Sequence, residues 1–111
     1  MAYLWVMVFK ETSVFTKRLA QLFTDEEYRL LQTRLIQDPG AGSVIQGSGG
    51  IRKIRWKAEG SGKRGGTRIL YYWAVSDDTI LFLFAFAKNE RDDLSQAQLH
   101  QLANLVRKEY P

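Results

Sequence analysis

Apolar positions along the chain fall into seven blocks whose spacing changes from block to block. "YLWVMVF" (residues 3–9) is β-branched and aromatic with no turn former, which predicts a strand. In "ETSVFTKRLAQLF", Phe15, Leu19, Leu22 and Phe23 recur at i, i+4, i+7 and i+8, one apolar stripe on a helix. A second helix begins at Thr24, which with Glu27 forms a T-x-x-E capping box; Tyr28, Leu31 and Leu35 continue the stripe until Pro39 stops it. All nine glycines lie between positions 40 and 66, so residues 40–50 read as a flexible connection.

The stretch "IRKIRWK" (51–57) alternates, placing Ile54 and Trp56 on one side of a strand and Lys53, Arg55 and Lys57 on the other. Residues 60–66 predict a hairpin loop carrying Lys63 and Arg64 at its tip. "TRILYYWAV" and "TILFLFAFA" are two further strands joined by a polar turn at Ser76, Asp77 and Asp78, and the second run is apolar on both faces, as in a central strand. The last block is a helix. Ser95 and Gln98 form its capping box, Leu94 and Leu99 a hydrophobic staple, Asp92 and Asp93 are acids favoured at a helix start, and Leu99, Leu102 and Val106 face the core. The order β-α-α-β-β-β-α predicts an α+β fold in which an N-terminal strand and a three-strand meander pack with two N-terminal helices and one C-terminal helix. Residues 1–111 are expected to form one domain.

Composition narrows the chemistry. A length of 111 residues with 45% hydrophobic and 13% aromatic content supports one core. The chain has no cysteine and one histidine, His100, which argues against a disulfide framework, a thiolate metal site or a zinc centre; no cofactor and no metal are expected. The apolar run at the start lacks a basic lead-in and a cleavage site and is too short to span a bilayer, so the expectation is a cytoplasmic protein without a membrane partner.

The net charge is +4, yet residues 51–68 alone hold seven cations against Glu59, a balance of +6 that leaves −2 for the rest. Such concentration points to a polyanionic partner. It is not a nucleotide phosphate loop, because "GSGKRGG" has Lys57 where the motif needs a glycine and Arg64 where it needs Ser or Thr. His100 lies within the last helix and Asp77 and Asp78 in a turn, so a serine-type triad and paired carboxylates are poorly supported.

Alternate residues on a strand project about 6.6 Å apart, so Lys53, Arg55 and Lys57 can follow successive phosphates of a single strand, with Arg68, Lys63 and Arg64 closing around it. RNA carries its own nucleophile, the 2′-hydroxyl. Cleavage then needs in-line geometry, proton transfer and cationic stabilisation of the transition state. A lysine among Arg52, Arg55 and Arg68 is expected to give up its proton more readily, and arginine is suited to clamp phosphate oxygens. At this level a ribonuclease, a non-catalytic RNA- or DNA-binding module and a surface that docks an acidic protein all remain open.

The stretch from "DEEYRLLQ" through "GSGGIRKIRWKAEGSGKRGGTRILYYW" to "LFAFAKNERDDLS" resembles the RelE-like toxins of bacterial toxin–antitoxin pairs, and within them the HigB-type branch. The likeness spans roughly residues 25–105 and rests on G-x-G-G-[IL]-R-K-I-R, then G-K-R-G-G-x-R, then K-N-E. It implies a RelE-like fold and a messenger-RNA endoribonuclease that enters the ribosomal A site and cuts the bound codon through the 2′-hydroxyl, without metal. It also implies a helix-turn-helix, HigA-like antitoxin through which operator DNA is reached. By position, the resemblance places Lys53, Arg55 and Arg68 at the family's proton-transfer and phosphate-clamping positions, Lys63 and Arg64 in the loop typical of the HigB-type branch, and Lys88, Asn89 and Glu90 in the segment after the last strand. Together with the charge and stacking readings of Arg52, Lys57 and Tyr72, catalysis is expected of Lys53, Arg55, Arg64, Arg68 and Glu90, and RNA or phosphate binding of Arg52, Lys57, Lys63, Tyr72, Lys88 and Asn89. The best-studied pattern has an arginine where Asn89 stands and a tyrosine near Ser95, which leaves the general base and acid open among Glu90, Lys53 and Tyr72.

Overall fold

The computed structural model describes residues 6–56, 66–88, 90 and 93–111. In chain order these form β1 (Val8–Glu11), α1 (Ser13–Leu22), α2 (Asp25–Gln37), β2 (Ser43–Val44), β3 (Arg52–Trp56), β4 (Thr67–Ala74), a 3-10 turn (Val75–Asp77), β5 (Thr79–Ala87) and α3 (Gln96–Glu109). The five strands make one mixed sheet in the order β1-β5-β4-β3-β2, with β1 parallel to β5 and every other pair antiparallel. This is the α+β arrangement expected from the periodicities. No helix among the described residues is long and apolar enough to cross a membrane.

Each face of the sheet carries its own core. On one face, Phe15 and Leu22 of α1 and Leu31 and Leu35 of α2 pack against Ile54, Ile69, Tyr71, Ile80 and Phe82. On the other, Ala103 and Val106 of α3 pack against Ile51, Leu70, Leu81, Leu83 and Phe86. β5 supplies both cores because it is central and bulged. Tyr71 pairs with Phe82 and Leu70 with Phe84, so Leu83 is the extra residue and the strand changes parity there. Leu83 and Phe84 consequently both lie on the α3 side.

The helices begin where local chemistry requires. Thr24–Glu27 and Ser95–Gln98 both form complete capping boxes, and Thr12 accepts the Phe15 N–H to cap α1. α1 has a second task. β1 pairs only with residues 79–82 of β5, and beyond it the open strand edge is covered by α1 and its cap: Thr12 Oγ1 donates to Leu83 O at 2.8 Å and Arg18 Nε to Ala85 O at 3.0 Å.

Two expectations change. The strand expected over residues 3–9 is observed from Val8 to Glu11, because its ladder exists only in register with β5, where Val8 faces Thr79; residues 3–5 lie outside the described residues. Residues 40–50, expected to be a flexible connection, hold β2 and an ordered turn. Gly47, Gly49 and Gly50 adopt positive φ. Ser48 Oγ accepts the Ile51 N–H at 3.0 Å and donates to Ile45 O at 2.5 Å, replacing ladder bonds with side-chain ones. The hairpin loop expected over residues 60–66 lies outside the described residues apart from Gly66.

Candidate nucleic-acid interface

The pleat of β3 divides its cations. Ile54 and Trp56 join the α1/α2 core, so Lys53 and Arg55 point to the opposite face, as their alternation requires. Register with β4 places Arg55 directly opposite Arg68 and Lys53 opposite Leu70. Lys53, Arg55 and Arg68 thus share the α3 side of the sheet. Directly opposed side chains stand about 4.5–5.5 Å apart at Cβ, and two like charges there are destabilising.

The three cations differ in exposure. Arg55 is exposed, whereas Arg68 is 5% exposed. Lys53 is partly covered, and its Nζ lies 3.2 Å from Asp93 Oδ2, just ahead of α3. Asp93 was readable from the sequence only as a helix-start acid; the ion pair joins residues forty positions apart, and no local pattern signals it.

Arg52 does not belong to this group. It shares the parity of Ile54 and Trp56, and its guanidinium donates to Gly40 O at 3.2 Å and Gly42 O at 2.8 Å, so it braces the turn after α2 on the other side of the sheet. Arg52, expected to crowd the lysine, thus lies on the opposite side of the sheet from Lys53. The residue parity that groups Lys53 with Arg55 excludes their neighbour.

Tyr72 lies on the same side as Lys53, half-buried, with its ring stacked on Tyr110 of the α3 C-terminus at 5.7 Å and 27°. Burial raises the Tyr110 phenol above its ordinary range, with the charges of Glu109 and Asp77 adding to it. Tyr71, on the opposite side, is fully buried; its hydroxyl donates to Pro39 O at 2.8 Å and accepts the Gly42 N–H at 2.9 Å, and burial raises its pKa as well.

Glu90 is held by structure. Its carboxylate forms an ion pair with Arg18 and accepts the Ala87 N–H at 3.1 Å, tying the end of β5 to α1. The Arg18 guanidinium also lies 5.9 Å over the Phe84 ring. Nothing in the sequence marked Arg18, whose pattern is that of a polar helix face. Lys88 is exposed, and its N–H donates to Gly66 O at 3.3 Å, closing the β4–β5 ladder. Lys57, Lys63, Arg64 and Asn89 lie outside the described residues.

The arrangement offers anion binding: cations on neighbouring strands and a half-buried aromatic on one face of a rigid sheet. Known proteins share its framework. Three solved structures of E. coli toxin RelE overlap it. The chain in the intact RelBE toxin–antitoxin complex has a TM-score of 0.57 at 13% identity, covering 74% of this chain and 96% of its own length. A RelE mutant in the free state gives 0.58 at 10% identity over 91% and 97%, and isolated RelE gives 0.56 at 12% over 90% and 99%. At such identities the likeness concerns the fold. The family model described as the RelE toxin of the RelE/RelB toxin–antitoxin system matches residues 8–110, which span all five described strands and all three helices, and on that match this chain belongs to the RelE toxin family.

Proposed function

We propose that this chain is the toxin of a toxin–antitoxin pair, of the HigB-type branch, and that it is a cytoplasmic, ribosome-dependent messenger-RNA endoribonuclease. The observation that carries the proposal is the facing pair Arg55 and Arg68 with Lys53 two residues along, in a chain of the RelE family. In the reaction, the 2′-oxygen attacks phosphorus as its proton passes to a base. The bond to the 5′-oxygen breaks and that oxygen takes up a proton, leaving a 2′,3′-cyclic phosphate. Extra negative charge builds on the non-bridging oxygens in the transition state, and two arginines on adjacent strands are suited to stabilise it. Arg55 is the exposed member of the pair and Arg68 the buried one.

Of the three candidates for proton transfer, Lys53 lies on the arginine face with its head at the rim, which favours it for the leaving oxygen. Glu90 is engaged by Arg18 and the Ala87 N–H, and Tyr72 is stacked on Tyr110, so both are better suited to shaping the site. Arg64 and Lys63, from the HigB-type loop, with Lys57, Lys88 and Asn89, extend the proposed RNA contact. The proposed protein partner is a helix-turn-helix, HigA-like antitoxin, which alone reaches operator DNA.

The test is 5′-end mapping of a defined message on purified ribosomes. Wild-type protein is expected to create new ends within ribosome-occupied codons, and Arg55→Ala or Arg68→Ala to lower the cleavage rate by about 100-fold. Salt-sensitive RNA binding with no new ends would replace the enzyme by a binding module.

A further inference from the structure

Lys53 is tethered from outside its own strand. Its ammonium lies 3.2 Å from Asp93 Oδ2, with the side chains 26% and 59% exposed. The other oxygen, Oδ1, accepts the Leu94 N–H at 3.0 Å, so the carboxylate is oriented by backbone just ahead of Ser95, the N-cap of α3. α3 is itself fixed, because Ala103 and Val106 share a core with Leu70, the cross-strand partner of Lys53. The tether therefore runs from the sheet through the helix start back to the lysine head.

An exposed ion pair contributes little binding energy. Its value here is placement. A lysine head on a four-carbon stem samples a wide volume, and a misplacement of about 1 Å at a reacting group can cost about 100-fold in rate. Ammonium has three N–H donors; Asp93 takes one and leaves the others for phosphate oxygens. The same carboxylate, more than half exposed at the rim, repels an approaching phosphodiester.

We infer that Asp93 is a positioning residue for RNA cleavage, holding the Lys53 ammonium beside Arg55 and Arg68 at the expense of some affinity for RNA. The inference rests on the ribonuclease reading above. It makes affinity and rate respond in opposite directions.

The experiment uses the full chain and its Asp93→Asn variant, in which Oδ1 can still accept the Leu94 N–H. Affinity is read by fluorescence anisotropy with a short single-stranded RNA bearing 2′-O-methyl groups, and rate by cleavage of ribosome-bound message at saturating protein. The variant is expected to bind about two- to five-fold tighter, the worth of one exposed charge pair, and to cut about ten-fold more slowly. Asp93→Glu is expected to recover most of the rate. If Asp93→Asn cuts as fast as wild type or faster, the carboxylate only repels RNA and the inference is overturned. If affinity and rate fall together with a lower melting temperature, Asp93 merely supports α3, which overturns it equally. Failure of the wild type to cut would instead remove the ribonuclease reading and this inference with it.

Discussion

Tyr71, Gly42 and Arg52 form a clamp beneath the end of β3. The Tyr71 hydroxyl takes the buried Gly42 N–H, and Arg52 takes the Gly42 and Gly40 carbonyls. A Cβ at Gly42 would lie 2.9 Å from Tyr71 Cε1 and 3.0 Å from the Lys53 carbonyl oxygen, so the backbone approaches as closely as it does because nothing projects there. Tyr71→Phe leaves the Gly42 N–H unpaired and is expected to destabilise by about 1–3 kcal/mol; Gly42→Ala is expected to do so by a similar amount through overpacking. Chemical denaturation measures both. Arg52→Met should likewise lower the denaturation midpoint while leaving the salt dependence of RNA binding unchanged. Arg55→Ala should do the reverse, reducing the magnitude of the log–log salt slope by about 0.7. That contrast shows what was legible in the sequence. Alternation assigned Lys53 and Arg55 to the face opposite Ile54 and Trp56, and the same parity assigned Arg52 to the other. Counting charge over the whole segment obscured this, since net charge takes no account of the pleat.

At the scale of elements, what could be read is what is local. Both capping boxes lie within four consecutive residues, so Thr24 with Glu27 and Ser95 with Gln98 marked their helix starts without knowledge of the rest. The parallel pairing of β1 depends on a strand distant in the chain, the bulge at Leu83 on the cross-strand register with β4, and two-residue β2 has no periodicity to detect. The ion pairs at Asp93 and Glu90 are hidden for the same reason: each joins a lead-in segment to an element 40 or 72 residues away. Ser95→Ala tests the coupling between a cap and the site. Losing the hydroxyl that accepts the Gln98 N–H should cost about 1 kcal/mol of stability. It should also fray the helix start that presents Asp93. Amide hydrogen exchange would then show faster exchange at residues 96–98, with β3 unaffected.

Across the whole molecule, two layers of aromatic packing leave several phenols in a position where they must stay neutral. Tyr28 packs against Phe15 and Phe82, with ring centroids 6.1 and 5.6 Å away, and donates its hydroxyl to Glu11 Oε2 at 2.6 Å. Burial raises its pKa far above the ordinary tyrosine range, and the Glu11 carboxylate raises it further, by accepting the phenolic proton and by its charge. Tyr71 and Tyr110 are raised too, chiefly by burial. In the unfolded chain these groups ionise near the usual value of about 10. The folded state binds their protons more tightly, so their contribution to stability is complete below about pH 10 and is lost as pH rises towards the folded values. Melting temperature followed by circular dichroism should accordingly fall above about pH 10. Tyr28→Phe should lessen the fall, because a ring that keeps the aromatic contacts but carries no ionisable hydroxyl leaves the unfolded state no proton to release. An alkaline slope unchanged in that variant would show that the Glu11–Tyr28 bond does not hold the phenol neutral.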